Sequence, residues 1–273
     1  MRGPKGVQAL ADETSLFLLG SLASLAAGLG TGVGAVPVFF MRRLSPTTED
    51  TLMGAAAGVM LAAASFSLLV PALEIANADA AAYGLPWMGA IVVCLGLLAG
   101  GGGFWLVHRV VPHEHFIKGR EGGDAIFARR LWLFVMAITL HNFPEGLAVG
   151  AGFGAPDSSN GWVLATGIAL QNLPEGLIVA LALVSLGYGT TVAFAVSVLT
   201  GLVEPVGGMV GAAAAAYAQA ILPWALAFAA GAMLFVVGGE MIPETHRRGH
   251  ETRATFGLMA GFALMIGLGA AFG

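Results

Sequence analysis

Two copies of one polar motif lie thirty residues apart in this chain: His141-Asn-Phe-Pro-Glu-Gly-Leu147 and Gln171-Asn-Leu-Pro-Glu-Gly-Leu177. Both copies lie inside long apolar stretches. Side chains four positions apart share one face of a helix, so the first residue of each copy points the same way as its Glu. Ionisable groups at membrane depth are costly, and their presence indicates a functional site.

The composition identifies a membrane protein. Hydrophobic residues make up 57% of the 273 positions and charged residues only 10%. Apolar runs of about twenty residues are long enough to cross the hydrocarbon core as helices, and in lipid a helix satisfies its own backbone. These runs predict an all-α bundle with no separate soluble domain. We number eight of them spans 1 to 8: 15–41, 51–76, 84–108, 131–153, 161–186, 190–215, 223–242 and 254–273.

The basic residues predict the orientation of the bundle. Ten of the twelve Lys and Arg residues fall on one side of the membrane, and only Arg2 and Lys5 fall on the other. The positive-inside rule places the ten in the cytoplasm, together with the loop 109–130, and places both termini outside. The basic residues show no nucleic-acid footprint. The ten cytoplasmic residues are Arg42, Arg43, Arg109, Lys118, Arg120, Arg129, Arg130, Arg247, Arg248 and Arg253.

The chemistry of the two motifs favours a divalent transition metal. Pro144 and Pro174 have no N–H, so each frees a backbone carbonyl and is expected to kink its helix. Glu204, followed by Pro205, adds a third intramembrane acid in span 6. Imidazole and carboxylate both ligate zinc, and no cluster of cysteines is present to hold the ion too tightly for transit. Cys94 stands alone and is expected to be buried.

The arrangement of spans 4 and 5 is typical of secondary transporters. Consecutive single crossings run antiparallel, so the two motif copies are expected to be related by an axis in the membrane plane. Inverted repeats with interrupted helices mark the binding site in many such proteins.

These residues resemble those of the ZIP family (Zrt- and Irt-like divalent metal transporters), in particular its prokaryotic GufA-like branch. The resemblance covers all eight spans. It is carried by the two motifs and Glu204-Pro205, by Gly58-Val-Met60 through Ser67 to Pro71, and by Glu240-Met-Ile-Pro-Glu-Thr-His246.

The resemblance implies a homodimer of eight-helix protomers in the plasma (inner) membrane. Each protomer would move Zn²⁺, and also Cd²⁺, Fe²⁺ or Mn²⁺, into the cytoplasm. Spans 1, 4, 5 and 6 would slide as a transport unit against a scaffold of spans 2, 3, 7 and 8.

The resemblance also implies a set of site residues. One metal position would use His141, Glu145, Gln171 and Glu175, with Met60 nearby. A second would use Asn142, Glu145, Asn172, Glu175 and Glu204. Ser67 and Glu74 would line the entrance. The candidates for the cytoplasmic exit are His108, His113, His115, Glu240, His246 and His250.

Two positions depart from close prokaryotic relatives. Asn172 stands where those relatives often carry Asp, so the second metal position has one charge fewer. His108 stands where relatives carry an acid near the exit. Because Asn172 is neutral, we expect the first metal ion to bind tightly and the second to bind weakly.

The sequence is compatible with one other transport function and argues against an enzymatic one. Glu145, Glu175 and Glu204 could relay protons in a proton-coupled cation antiporter, with His141 titrating near neutral pH. An intramembrane metalloprotease would need a His-Glu-x-x-His helix, and the chain contains none.

The orientation can be tested by cysteine labelling in a Cys94→Ala background. Arg120→Cys should react only with reagent added from the cytoplasmic side, and Asp157→Cys only from outside, because of the ten-to-two split of basic residues. Sealed vesicles of known sidedness provide the measurement. Labelling of position 120 from outside would reverse the orientation and the direction of import inferred from it.

Overall fold

The computed structural model describes residues 4–41, 43–81, 84–85, 87–110, 124–154, 159–185 and 187–272. Every regular element in these ranges is a helix. The long helices of the first half are α1 (Pro4–Ala35), α2 (Pro46–Ala62), α3 (Val70–Ala81), α4 (Trp87–Val110), α5 (Asp124–Gly152) and α6 (Ser159–Ser185). The α-helices of the second half are α7 (Thr190–Gly201), α8 (Glu204–Tyr217), α9 (Leu222–Val236), the four-residue α10 (Ile242–Thr245) and α11 (Glu251–Phe272).

Shorter helical segments join some of these elements. A 3₁₀ turn (Val36–Phe39) follows α1, and another (Gln219–Ile221) precedes α9. Two π-helical segments continue longer helices: the first π segment (Ala63–Leu69) joins α2 to α3, and the second (Val237–Met241) joins α9 to α10.

The described residues contain seven helices that are long and apolar enough to cross a membrane. They are Glu13–Phe39, Pro46–Ala81, Trp87–Val107, Ser159–Ser185, Thr190–Tyr217, Gln219–Thr245 and Glu251–Ala271. The prediction of an all-α membrane protein is therefore confirmed. Span 4, except for its last residue, lies in α5, a helix of 29 residues that is not among the seven.

The structure corrects several sequence-based details. Span 6 is interrupted at Leu202 and Val203, between α7 and α8, and Pro205 stands in the first turn of α8, where its missing N–H is tolerated. Spans 2 and 7 each contain a π-helical segment, and the predicted loop 109–130 is helical at its end from Asp124. Cys94 is exposed on α4 rather than buried.

Local sequence signals explain the start of α2 and the turn between α6 and α7. Ser45 caps α2, since its side chain accepts a hydrogen bond from the Thr48 N–H at 3.1 Å, and Pro46 follows at the first helical position. Gly187 adopts φ +91° in the turn between α6 and α7, a conformation that favours glycine.

The helices pack as two groups. In the first group, α1 packs against α6 and α8, and α5 packs against α8. In the second group, α2 packs against α11, and α4 against α9. Contacts of α5 with α9, and of α6 with α2 and α11, join the two groups. Small residues allow the close crossings, as membrane helices require.

A polar layer lies between two apolar clusters along α5 and α6. On α5, Val135 and Ile138 belong to one cluster and Leu147 to Ala151 largely to the other, with the first motif between them. On α6 the order is reversed, with Val163 to Ile168 before the second motif and Ile178 to Leu183 after it. The motif copies are thus brought to the same level by antiparallel helices.

A matched pair of glycines in α11 tests the close crossing with α2. A Cβ at Gly261 would collide with the backbone carbonyl of Ala55, whereas a Cβ at Gly267 would meet no atom within 4 Å. Gly261→Ala should lower the stability in detergent by about 1–3 kcal/mol, the usual cost of overpacking. Gly267→Ala should be neutral or slightly stabilising, since Ala is the better helix former. Equal melting temperatures for the two variants would contradict this packing.

Candidate metal site

The glycine of each motif allows a neighbouring helix to approach the adjacent glutamate. A Cβ at Gly146 would overlap the backbone carbonyl of Glu204 at the start of α8. In the same way, a Cβ at Gly176 would overlap the backbone carbonyl of Thr31 in α1. Each Pro-Glu-Gly sequence therefore places a carboxylate beside a close helix crossing.

Gln171 connects the carboxylates of the two motif copies. Its Nε2 donates to Oε1 of Glu145 at 2.5 Å and lies 3.5 Å from Oε2 of Glu175. The carboxamide thus joins α5 to α6 at the level of the two acids. The structure brings together three of the four residues predicted for the first metal position.

Asn172 connects the second motif to the third acid. Its Nδ2 donates to Oε1 of Glu204 at 2.5 Å and to the backbone carbonyl of Ala27 at 2.8 Å. Ser24 on α1 donates its hydroxyl to the backbone carbonyl of Glu204 at 2.8 Å. Glu204 is therefore held from both α6 and α1.

Asn142 contacts the end of α7, next to the interruption in span 6. Its Nδ2 donates to the backbone carbonyl of Thr200 at 2.8 Å. The amide of Asn142 thereby supplies a donor where the helix ends. The interruption is tied to α5 at the same level as the carboxylates.

The site is buried and strongly acidic. Glu145, Glu204, Asn142 and Asn172 have no exposed surface, and Gln171 is 2% exposed. Glu175 is only partly buried. Glu145 interacts electrostatically with both Glu175 and Glu204, and Glu175 with Glu204. Three carboxylates in this environment repel one another unless positive charge lies between them.

Among the residues that the structure describes, each of six side chains in the site keeps one buried oxygen for which no hydrogen-bond partner is present. An unsatisfied buried oxygen costs about 1–3 kcal/mol, and a cation that coordinates it removes that cost. All six residues belong to the predicted metal-binding set. The six oxygens are Asn142 Oδ1, Glu145 Oε2, Gln171 Oε1, Asn172 Oδ1, Glu175 Oε1 and Glu204 Oε2.

Within the described part of the chain, no three or more His, Cys, Asp or Glu side chains are grouped so that they alone could hold a metal ion. The carboxamide oxygens of Asn and Gln are therefore needed beside the carboxylates. Oxygen and imidazole donors are suited to zinc and neighbouring divalent ions.

His141 lies at the boundary between the two helix groups. Its Nε2 is 3.0 Å from Oε2 of Glu240 in the second π segment. Its ring also lies against Phe104 of α4, with the ring centroids 5.7 Å apart. Glu240, which the sequence analysis assigned to the exit, thus directly contacts a predicted ligand of the first metal position.

The predicted entrance residues differ in exposure. Ser67 is 5% exposed in the first π segment, and its backbone carbonyl accepts a hydrogen bond from Nδ2 of Asn160 at 2.6 Å. Glu74 is exposed on α3.

Met60, which was predicted to lie near the first metal position, is buried in α2, within the apolar cluster that also contains Leu147 and Ile168.

The predicted exit histidines are only partly described. His113 and His115 lie outside the described residues, as does the side chain of His108 at the end of α4. His246 Nδ1 lies 2.9 Å from the backbone carbonyl of Ile242, and its Nε2 lies 3.2 Å from the Thr255 hydroxyl. His250 Nδ1 lies 2.7 Å from Oδ2 of Asp50.

Several contact residues were missed from the sequence. Asp50 is 1% exposed and pairs with His250, while Glu49 beside it pairs with Arg248 at 2.5 Å. Both acids stand in a polar stretch just before span 2, where sequence alone suggests a solvated helix end. Ser24, Asn160 and Thr200 carry no motif, and only their long-range hydrogen bonds identify them.

The fold and the site together define a class of protein. Seven apolar helices, two antiparallel copies of a carboxylate motif and an interrupted helix beside them are features of multi-pass membrane transporters. A family model described as "ZIP Zinc transporter" matches residues 113–269. The chain belongs to the ZIP family, whose members are transporters and not enzymes. The resemblance inferred from the motifs is confirmed.

Named relatives cover nearly the whole chain. The zinc transporter GufA of Myxococcus xanthus is 46% identical over 254 residues, which cover 93% of this chain and 99% of that protein. The zinc transporter ZIPB of Bordetella bronchiseptica is 44% identical, covering 98% of this chain and 86% of ZIPB. The human zinc transporter ZIP11 is 33% identical, covering 89% of this chain and 94% of ZIP11.

Asn172→Asp tests the charge balance at Glu204. Without metal, the substitution removes the donor to Glu204 and should lower stability by about 2 kcal/mol, the typical contribution of a hydrogen bond to a charged group. With Zn²⁺, the added carboxylate should bind the ion, so the metal-induced rise in melting temperature should be larger than in the wild type. Thermal unfolding at several Zn²⁺ concentrations and calorimetric stoichiometry measure both effects.

Asn77→Asp provides the same substitution on α3, outside the site. It should leave the metal-induced shift unchanged. Two equally tight zinc ions in the wild type, with no change in Asn172→Asp, would contradict the charge argument.

Proposed function

We propose that the protein transports divalent transition-metal ions, zinc foremost, across the membrane and into the cytoplasm. The observation that carries this proposal is the set of six buried, unpartnered oxygens on side chains from both motif copies and Glu204. A soluble or purely structural bundle has no reason to retain such groups in its interior. The relatives named as zinc transporters support the same conclusion.

The donor types support two adjacent metal positions. His141, Glu145, Gln171 and Glu175 would hold the first ion, whose two charges the carboxylates neutralise. Asn142, Asn172 and Glu204 would complete a second position that shares Glu145 and Glu175 with the first. Cd²⁺, Fe²⁺ and Mn²⁺ are further candidate substrates, since they accept the same donors.

The two helix groups support an elevator-type mechanism. The first group (α1, α5, α6, α7 and α8) carries the acids of both metal positions and would be the transport unit. The second group (α2, α3, α4, α9, α10 and α11) would be the scaffold. Six of the seven oxygen- and nitrogen-bearing ligand candidates are fixed by hydrogen bonds within the first group. A site built almost wholly on one group can move with that group as a unit.

We place α5 in the membrane as an eighth crossing, because its motif lies at the same level as the motif of α6 and as Glu204 of α8. The protein would lie in the inner membrane as a homodimer. The loop between α4 and α5 would face the cytoplasm and both termini the outside, because of the distribution of basic residues.

Zinc uptake into proteoliposomes tests this function directly. Glu145→Gln and Glu175→Gln should each reduce uptake to the level of protein-free liposomes, because each removes a charge shared by both metal positions. The fold should persist, since a glutamine oxygen can still accept the hydrogen bond from Gln171. Glu251→Gln, an exposed acid in the first turn of α11, is the matched control and should transport as the wild type does.

Melting temperatures in detergent establish that all variants are folded. Wild-type rates of zinc uptake in either site variant would remove these carboxylates from the transport path.

A further inference from the structure

We propose that Glu240 is a latch residue that ties the metal-free transport unit to the scaffold through His141, and that an arriving metal ion releases this latch by taking His141 for itself. The inference rests on the proposed transport function. Glu240 acts as a positioning residue in the metal-free state, in place of the exit ligand expected from the sequence.

The contact joins the two helix groups at the metal site. His141 belongs to α5 and Glu240 to the second π segment, and the two side chains meet at 3.0 Å with about a tenth of each exposed. A hydrogen bond to a carboxylate in such a sheltered place is stronger than one between neutral groups. It holds α5 against the segment that follows α9.

The nitrogen that contacts Glu240 is the one best placed to bind metal. Nε2 is the ring nitrogen farthest from the backbone, and His141 shares a helix face with Glu145, one turn further along α5. A nitrogen that donates its hydrogen to Glu240 offers no lone pair to a metal. Binding of a metal at Nε2 and the contact with Glu240 therefore exclude each other.

A second polar contact between the groups lies at the other π segment. Nδ2 of Asn160, at the start of α6, donates to the backbone carbonyl of Ser67 at 2.6 Å. Movement of the first group along the second must break this contact as well. Both contacts use a π segment of the scaffold, where the helical hydrogen-bond pattern is locally altered.

The latch would make movement depend on loading. While the site is empty, Glu240 keeps His141 and α5 in place. Zinc takes Nε2 in the tautomer that carries its hydrogen on Nδ1, so the ring gives up the Nε2 hydrogen and gains one at Nδ1 by exchange with solvent. The hydrogen bond to Glu240 is then lost, and the transport unit is free to move. A ligand shifts such an equilibrium only by its different affinity for the two states, and here that difference is the contact with Glu240.

The test measures zinc affinity and amide hydrogen exchange in the full-length protein in detergent. Glu240→Ala removes the competing partner, so zinc should bind about tenfold more tightly, within the range typical of coupled sites. Exchange in the first π segment (Ala63–Leu69) should rise several-fold on zinc addition in the wild type. In Glu240→Ala it should already be raised without zinc. Glu240→Gln, which keeps an acceptor oxygen without the charge, should lie between the two.

Glu49→Ala is the matched control, because Glu49 pairs with Arg248 inside the scaffold. It should change neither zinc affinity nor the exchange of Ala63–Leu69.

Weaker or unchanged zinc binding in Glu240→Ala would overturn the latch, and a loss of one bound ion would make Glu240 a metal ligand instead. Exchange that is the same with and without zinc in a wild-type protein that transports zinc would also overturn it. Absence of zinc uptake by the wild type in parallel liposomes would instead overturn the proposed function.

Discussion

The arrangement of the first helix group depends on the burial of carboxylates in a membrane interior. Glu145 and Glu204 have no exposed surface, so each needs donors that a lipid environment cannot supply. Gln171 and Asn172 meet this need, because a carboxamide offers an N–H to one carboxylate oxygen and keeps its own oxygen for a cation. The two carboxamides on α6 thus stabilise the acids and leave one oxygen of each group available for an ion.

That requirement explains why the surrounding helices are irregular. Gly146 and Gly176 let α8 and α1 approach within backbone contact, which places the donors and acceptors of four helices at one level. At the interruption between α7 and α8, the Thr200 carbonyl accepts from the Val203 N–H and also from Asn142 on α5. Ser24 on α1 adds a hydrogen bond to the carbonyl of Glu204, the first residue of α8. The broken helix is therefore held by side chains that also belong to the site or lie beside it.

Helices and ligand candidates could be predicted from the sequence because both leave local signals. Apolar length predicts a membrane helix, and the i, i+4 spacing of His141 and Glu145 predicts a shared face. Contacts between distant segments leave no such signal. The pairing of Asp50 with His250, and of His141 with Glu240, depends on how α2, α5 and the second π segment meet. The π segments also escaped prediction, because one extra residue per turn does not change composition or apolar length.

Each residue of the Pro-Glu-Gly tripeptide has its own structural role. Pro lacks a backbone donor, Glu supplies the ligand, and Gly permits the close helix crossing. A ligand that is shifted one residue along the helix would leave its crossing glycine behind and face another neighbour. The residue at the start of the motif differs between the two copies, His141 in one and Gln171 in the other, whereas Pro, Glu and Gly are the same in both. The helix crossing therefore constrains the spacing of carboxylate and glycine and leaves the identity of the first ligand free to vary.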